Sequence, residues 1–154
     1  MKRSVVTLII NNSNQILLLK RPPDHDKFPG QWCLPGGKID WIVEQVQFEA
    51  IQGKNTLSAR WETPEEAAYR ETIEETGIKA IIFRNTNVVM SDGDFIVYVF
   101  SALKCNNYEV TKQFPNREHV EYKWVTPDNL PSPIGPMTYG LLNDENIFSE
   151  CLDF

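Results

Sequence analysis

The stretch Glu62–Ile78, ETPEEAAYRETIEETGI, decides how the rest of this chain is read. Thr63 is a good N-cap, Pro64 suits the first helical position, and Glu66 stands where a capping box closes. Gly77 follows the last turn, where a left-handed residue commonly ends a helix. At about 100° per residue, Glu71, Glu74 and Glu75 share one arc of this helix with small Ala67 and Ala68 between them. Tyr69 and Ile73 point the other way and are predicted to form its core-facing side. Like charges three and four apart repel by a few tenths of a kcal/mol, about the size of one helical ion pair. Three carboxylates on one face therefore call for water, a basic partner or a cation. A bare glutamate cluster is ordinarily a solvated surface; the sharper reading is a site for Mg²⁺, which takes hard oxygen ligands.

Upstream, Leu34-Pro35-Gly36-Gly37-Lys38 sets a glycine pair before a cation. Such a pair lets the backbone approach a ligand closely, although alone it is most often a turn. Together the two segments resemble the signature of the Nudix hydrolase family, G-x5-E-x7-R-E-U-x-E-E-x-G-U, where U is aliphatic. Glu62, Arg70, Glu71, Glu74, Glu75, Gly77 and Ile78 fall in register with it. Two departures stand out. Thr72 replaces an aliphatic residue, and Lys38–Trp61 fills a space where the family has five residues. Residues 42–60 thus read as an insertion.

The resemblance implies an α/β/α sandwich around a mixed β-sheet, in one domain spanning 1–154, and a metal-dependent pyrophosphohydrolase. Glu71, Glu74 and Glu75, with the Gly36 carbonyl and Glu118, are the implied ligands of Mg²⁺ or Mn²⁺, and Glu121 is the rival to Glu118. Glu71 is the expected general base, and Arg70 is the arginine that pairs with Glu62 and holds the helix to the loop. Arg21 and Lys38 are expected to neutralise phosphate, and Phe28 to offer a ring to a base. The implied substrate is a nucleoside diphosphate linked to another group. The phrase FPGQWCLPGGK over 28–38 and the Trp124…Leu130-Pro131 pattern resemble the mutator-type branch, which cleaves nucleoside triphosphates. The alternatives are hydrolysis of ADP-ribose, a dinucleoside polyphosphate or another nucleotide diphosphate. From a different class comes a catalytically silent nucleotide-sensing module, whose best argument is that the insertion distorts the glycine loop.

Composition narrows the field. At 154 residues the chain has the length for a real core, and its net charge of −6 argues against bulk nucleic-acid or anionic-membrane binding. Cys33, Cys105 and Cys151 are widely spaced and odd in number, which fits free thiols in a reducing, cytoplasmic setting. No signal peptide and no apolar run of membrane-spanning length is visible.

Along the chain, Ser4–Ile10 and Gln15–Leu19 predict a hairpin about Asn11–Asn14. Lys20–Gln31 reads as a proline-broken loop with His25 exposed, and Trp32 as a residue packed under the sheet. The insertion is ambiguous between a helix and a hairpin about Gly53-Lys54-Asn55. Its apolar residues Ile42, Val43, Val46, Phe48, Ile51 and Leu57 need a cover: the core, the substrate cleft as a lid, or a second copy in a homodimer. Packing beside the active site is the favoured of these. Strands are predicted over Lys79–Met90 and Asp94–Leu103 around a turn at 91–93, with loop from Lys104 to Arg117. Thr126-Pro127-Asp128 predicts a new helical turn, Leu130–Pro136 a rigid loop, and Met137–Phe148 a terminal helix.

Overall fold

The computed structural model describes residues 2–47, 55–79, 83–102 and 108–152. Strand β1 (Lys2–Leu8) lies in a four-stranded sheet with β4 (Gly36–Lys38), β7 (Phe83–Asp92) and β8 (Phe95–Ala102), in the order β4-β1-β8-β7. Only β1 and β8 run parallel in this sheet; the other pairs are antiparallel, so it is mixed. A second sheet, β3-β2-β9, is built from Trp32–Cys33, Ile16–Lys20 and Glu121–Val125. The third is a two-stranded ribbon of β5 (Trp41–Gln47) and β6 (Asn55–Trp61).

Helix α1 (Pro64–Thr76) covers one face of the mixed sheet, where Ala67 and Ala68 meet Val5, Ile39 and Phe100. Helices α2 (Pro136–Asn143) and α3 (Glu145–Leu152) cover the other, with Leu141, Leu142 and Cys151 against Val6, Leu8, Val97 and Val99. This is the expected α/β/α sandwich. The apolar β1 and β8 read as continuous runs because both of their faces are buried.

Several local expectations are corrected. The turn at Asn11–Asn14 forms, with Asn11 N–H bonded to Gln15 O at 3.0 Å, but the arms soon diverge into different sheets. β1 has both edges occupied by β4 and β8, leaving β2 to pair with β3 and β9. The helical turn at Thr126 is a single bend, closed by Asn129 N–H to Thr126 O at 3.0 Å. The terminal helix is two helices, because the Asp144 carboxylate accepts from Asn146 N–H and Ile147 N–H and starts a new one. The turn between β7 and β8 falls at Gly93–Asp94, with Gly93 at φ +60°.

The insertion is a hairpin, paired from Trp41↔Trp61 to Gln47↔Asn55, but Asn55 is a paired residue of β6 and not part of the expected turn; Phe48, Ile51, Gly53 and Lys54 lie outside the described residues. Its base is closed by two bonds, Glu62 N–H to Asp40 O at 2.8 Å and Asp40 N–H to the Glu62 carboxylate at 2.9 Å. The chain therefore re-enters α1 beside the point where it left β4. A hairpin returns to its origin, so its length does not disturb the glycine bend.

Candidate functional site

Helix α1 is placed by its caps and by small residues. Thr63 accepts from Glu66 N–H at 3.1 Å while Glu66 accepts from Thr63 N–H at 2.9 Å, and Gly77 closes the far end at φ +75°. The buried residues of the helix are Ala67, Ala68, Thr72 and Thr76. Tyr69 is instead exposed and packs edge-on to Phe83, while Ile73 is half-buried, which corrects the expected core face. Large residues facing the sheet would hold the helix away; alanine and threonine let it settle onto the glycine bend. The side carrying Glu71 and Glu75 is consequently the side that packs.

The bend accommodates them closely. A Cβ at Gly37 would collide with the Glu71 carboxylate, and one at Gly36 with the Val5 carbonyl. Gly36 N–H donates to Glu75 Oε1 at 2.7 Å. Glu75 is only 12% exposed, so burial, with Glu71 and Glu118 adding like charge, pushes its carboxyl well above the usual carboxylate range. Burial also raises Glu71, against the opposing pull of Arg70.

Arg70 organises the polar side of this cluster. Its guanidinium grips Glu62 through two bonds of 2.8 Å and reaches Glu71 at 2.8 Å, Glu74 at 3.2 Å, Asp40 at 3.2 Å and the Lys38 carbonyl at 3.0 Å. Glu62 is buried, and this fork holds its carboxyl below the usual range. Helix, ribbon base and glycine strand are thus joined at one side chain.

A cleft of about 410 Å³ opens over β4 and β1, within the size of small-molecule sites. Its lining includes Arg21, Phe28, Gly36, Gly37, Lys38, Glu71, Glu75 and Glu118, so the cleft brings together most of the sequence-predicted site. A second groove of about 360 Å³ shares Glu71, Glu75 and Glu118 with it and adds the exposed Glu74. The carboxylates sit where the two meet. Arg21 donates to the Lys27 carbonyl at 3.0 Å and to Cys33 Sγ at 3.5 Å, with its guanidinium 5.7 Å from the Phe28 ring. Glu121, the rival to Glu118, begins β9 opposite Lys20 and lines neither space.

Two histidines carry information the sequence did not yield. His25 is half-buried at the cleft, its Nδ1 bonded to Lys27 N–H at 3.1 Å, and not the partnerless exposed residue expected. His119 is buried, with Nε2 3.5 Å from Glu75 Oε2 and Nδ1 lacking a partner among the described residues. Burial holds its pKa down at about 4, so the ring is neutral at pH 7. Its only sequence signal was adjacency to Glu118.

Among the described residues, no three His, Cys, Asp or Glu side chains already converge as ligands to one point. Arg70 engages Glu71 and Glu74, and the Gly36 N–H engages Glu75. The donor chemistry nevertheless fits Mg²⁺ or Mn²⁺. The oxygens are hard, and two crowded carboxylates that burial makes hard to ionise are what a divalent cation would relieve.

Similarity to known proteins supplies the class that this fold and cleft belong to. Residues 1–142 match the NUDIX domain, and the chain belongs to the Nudix hydrolase family. It is 30% identical over 142 residues to the nucleoside triphosphatase NudI of Klebsiella pneumoniae (strain 342), covering 84% of this chain and 85% of that protein. Identity to the NudI of Enterobacter sp. (strain 638) is 32% over 136 residues, with the same coverage. Among solved structures, the MutT protein of Methanosarcina mazei Go1 superposes with a TM-score of 0.63 at 26% identity, covering 97% of this chain and 94% of that one. No helix among the described residues is long and apolar enough to cross a membrane.

Proposed function

We propose that this chain hydrolyses a nucleoside triphosphate to the monophosphate and pyrophosphate with Mg²⁺ or Mn²⁺, as one domain over residues 1–154. The observation that carries the reading is the burial of Glu71 and Glu75 against Gly36 and Gly37 at the floor of a cleft whose rim holds Arg21 and Lys38. The names of the NudI relatives favour the triphosphate over ADP-ribose and dinucleoside polyphosphates. A bound divalent cation would neutralise the diphosphate and acidify the attacking water.

The chain's own residues do the rest. Glu71, Glu74, Glu75, the Gly36 carbonyl and Glu118 are the groups that would hold the ion. Glu71, where not saturated by metal, accepts the water's proton. Arg70 acts through others, fixing Glu71 and Glu62 so that the carboxylates and the glycine strand keep their spacing. Arg21 and Lys38 offset phosphate charge, and Phe28 offers its ring to the base. The silent-sensor reading loses its main support in the closed ribbon base, which leaves Glu62 on Arg70.

The test is product chromatography on a pooled panel of nucleotides with Mg²⁺ or Mn²⁺, for wild type and Glu75→Gln. Metal-dependent release of pyrophosphate from triphosphates, lost in the variant, is the expected result. Turnover restricted to ADP-ribose or dinucleoside polyphosphates would replace the substrate, and tight nucleotide binding without turnover would return the sensor. The ribbon face bearing Trp41 and Trp61 is where a second copy would seat if the chain dimerises, and a cytoplasmic site goes with the free thiols of Cys33 and Cys151.

A further inference from the structure

Strand register places an unexplained group of cations at one end of the cleft. Lys2 pairs with Phe95, and Ser4 pairs with both Val97 and Lys38, so these residues share one face of the mixed sheet. It is the face that lines the cleft through Ser4, Lys38, Phe95 and Val97. Phe95 itself is buried. Around its ring stand three ammonium groups: Lys27 Nζ at 3.9 Å from the centroid, Lys2 Nζ at 5.5 Å and Lys38 Nζ at 5.8 Å. Lys2 and Lys38 rise from the sheet, while Lys27 reaches in from the loop between β2 and β3.

One cation over one ring is an ordinary contact. Three on a single ring, in a protein of net charge −6, repel one another without an anion between them. Asp26 and Asp92 also line this end of the cleft, yet no lysine takes part in an ion pair among the described residues. The group lies on the same track as the carboxylates. β4 carries Gly36, bonded to Glu75, at one end and Lys38 at the other, about 7 Å apart at the usual rise of a strand. A polyphosphate chain spans that distance.

We propose that Lys2 and Lys27, together with Lys38 over the Phe95 ring, form a docking site for a terminal phosphate that extends beyond the metal-held diphosphate. The inference rests on the triphosphate reading and deepens it, since such a site selects three phosphates over two. A compact ammonium suits this role, because it binds a rotating terminal phosphate as a point charge without demanding one orientation. Lys38 is already expected beside the diphosphate; the residues newly assigned are Lys2 and Lys27.

The experiment has a binding arm and a turnover arm. Inorganic triphosphate is titrated calorimetrically, without divalent metal, into wild type, the double variant Lys2→Ala/Lys27→Ala and the double variant Lys2→Arg/Lys27→Arg. Thermal unfolding verifies that all three fold. Affinity is expected to fall at least tenfold in the alanine pair and to recover with arginine. In turnover, the ratio of kcat/KM for a nucleoside triphosphate over the diphosphate of the same base should drop at least tenfold in the alanine pair. Absence of triphosphate binding to wild type, or equal binding by wild type and the alanine pair, overturns the inference. Lysine-dependent binding with no nucleoside triphosphate turnover by wild type would sink the functional reading and leave the anion site standing.

Discussion

Helix α1 and the β5–β6 ribbon meet at the Asp40–Glu62 pairing and invert each other's chemistry. The helix turns Glu71 and Glu75 inward onto the glycine bend, and Glu62, just ahead of it, is buried beneath Arg70. The ribbon turns its apolar residues outward. Register puts Trp41, Val43, Leu57, Ala59 and Trp61 on one face, and that face is open, with Trp41 54% and Leu57 76% exposed. The opposite face carries Arg60, which bridges Glu44 at 2.9 Å and Glu66 at 2.7 Å and so ties the ribbon to the helix. Burying a charge is costly unless function or a partner offsets it, and an open apolar face is equally unusual on a lone chain. The helix holds buried charge at the place proposed for a cation. The ribbon leaves its apolar face open among the described residues.

The sharpest way to break this contrast is Glu75→Gln. If Glu75 helps to hold the metal as proposed, kcat should fall by about a hundred- to thousandfold, the size of other electrostatic deletions. The metal-free variant should nonetheless melt higher than wild type at pH 7. A carboxyl raised by burial favours folding below its unfolded pKa of about 4.3 and loses that contribution as pH rises through its folded value. At neutral pH the ionised group is a cost, and glutamine removes it, by about 0.5–2 kcal/mol. A variant that is both inactive and less stable across this range would show that Glu75 is not strained in the absence of metal.

Glu62→Gln tests the other buried carboxylate and should act in the opposite direction. Glu62 is held low by Arg70, so its contribution is present above a pH of about 4.3 and is lost as pH falls through the folded value. The variant should lose about 2–4 kcal/mol at pH 7, because it weakens a buried ion pair on one side only. Its melting temperature should then change less than that of wild type between pH 6 and 3, as followed by calorimetry.

Replacing residues 42–60 with a short Asn-Gly turn sharpens the comparison at smaller scale. The ends of the ribbon already bond to each other, and loop length enters the closure entropy only logarithmically. Stability should stay within about 1 kcal/mol of wild type, and the product profile should be unchanged. A collapse of turnover with the fold intact would make the ribbon part of the site.

The smallest effect is expected from Leu57→Ser with Val43→Ser. Monomer stability should move by no more than about 0.5 kcal/mol, since both side chains are already in water. If a second copy covers this face, light scattering will show the oligomer shifting to monomer in the variant. A wild type that is monomeric at high concentration removes that use for the ribbon.

Much of the candidate site was legible because local chemistry wrote the helix that carries it. The capping box, Gly77 and the spacing of Glu62, Arg70, Glu71, Glu74 and Glu75 depend on residues a few positions apart, and one helical geometry relates them all. The misreadings arose where distant chain decided. Tyr69 and Ile73 looked like the core side because apolar residues usually face inward, whereas the glycine bend admits only a helix with small residues against it. Asn11–Asn14 turned as expected, but which sheet each arm joined depended on β8 and β9, many residues away. His119 had no local pattern to mark it, since its meaning comes from standing beside Glu75.

By itself the sequence determined the helix, its two ends, the glycine pair and the row of carboxylates, because backbone sterics and short-range hydrogen bonds act within a few residues. Only the tertiary structure decided that a long interruption folds back on its own base and leaves Glu62 paired with Arg70. It alone set Lys2, Lys27 and Lys38 around one ring. Strand pairing brings far positions to within a few ångströms, and no local spacing in the chain encodes that distance.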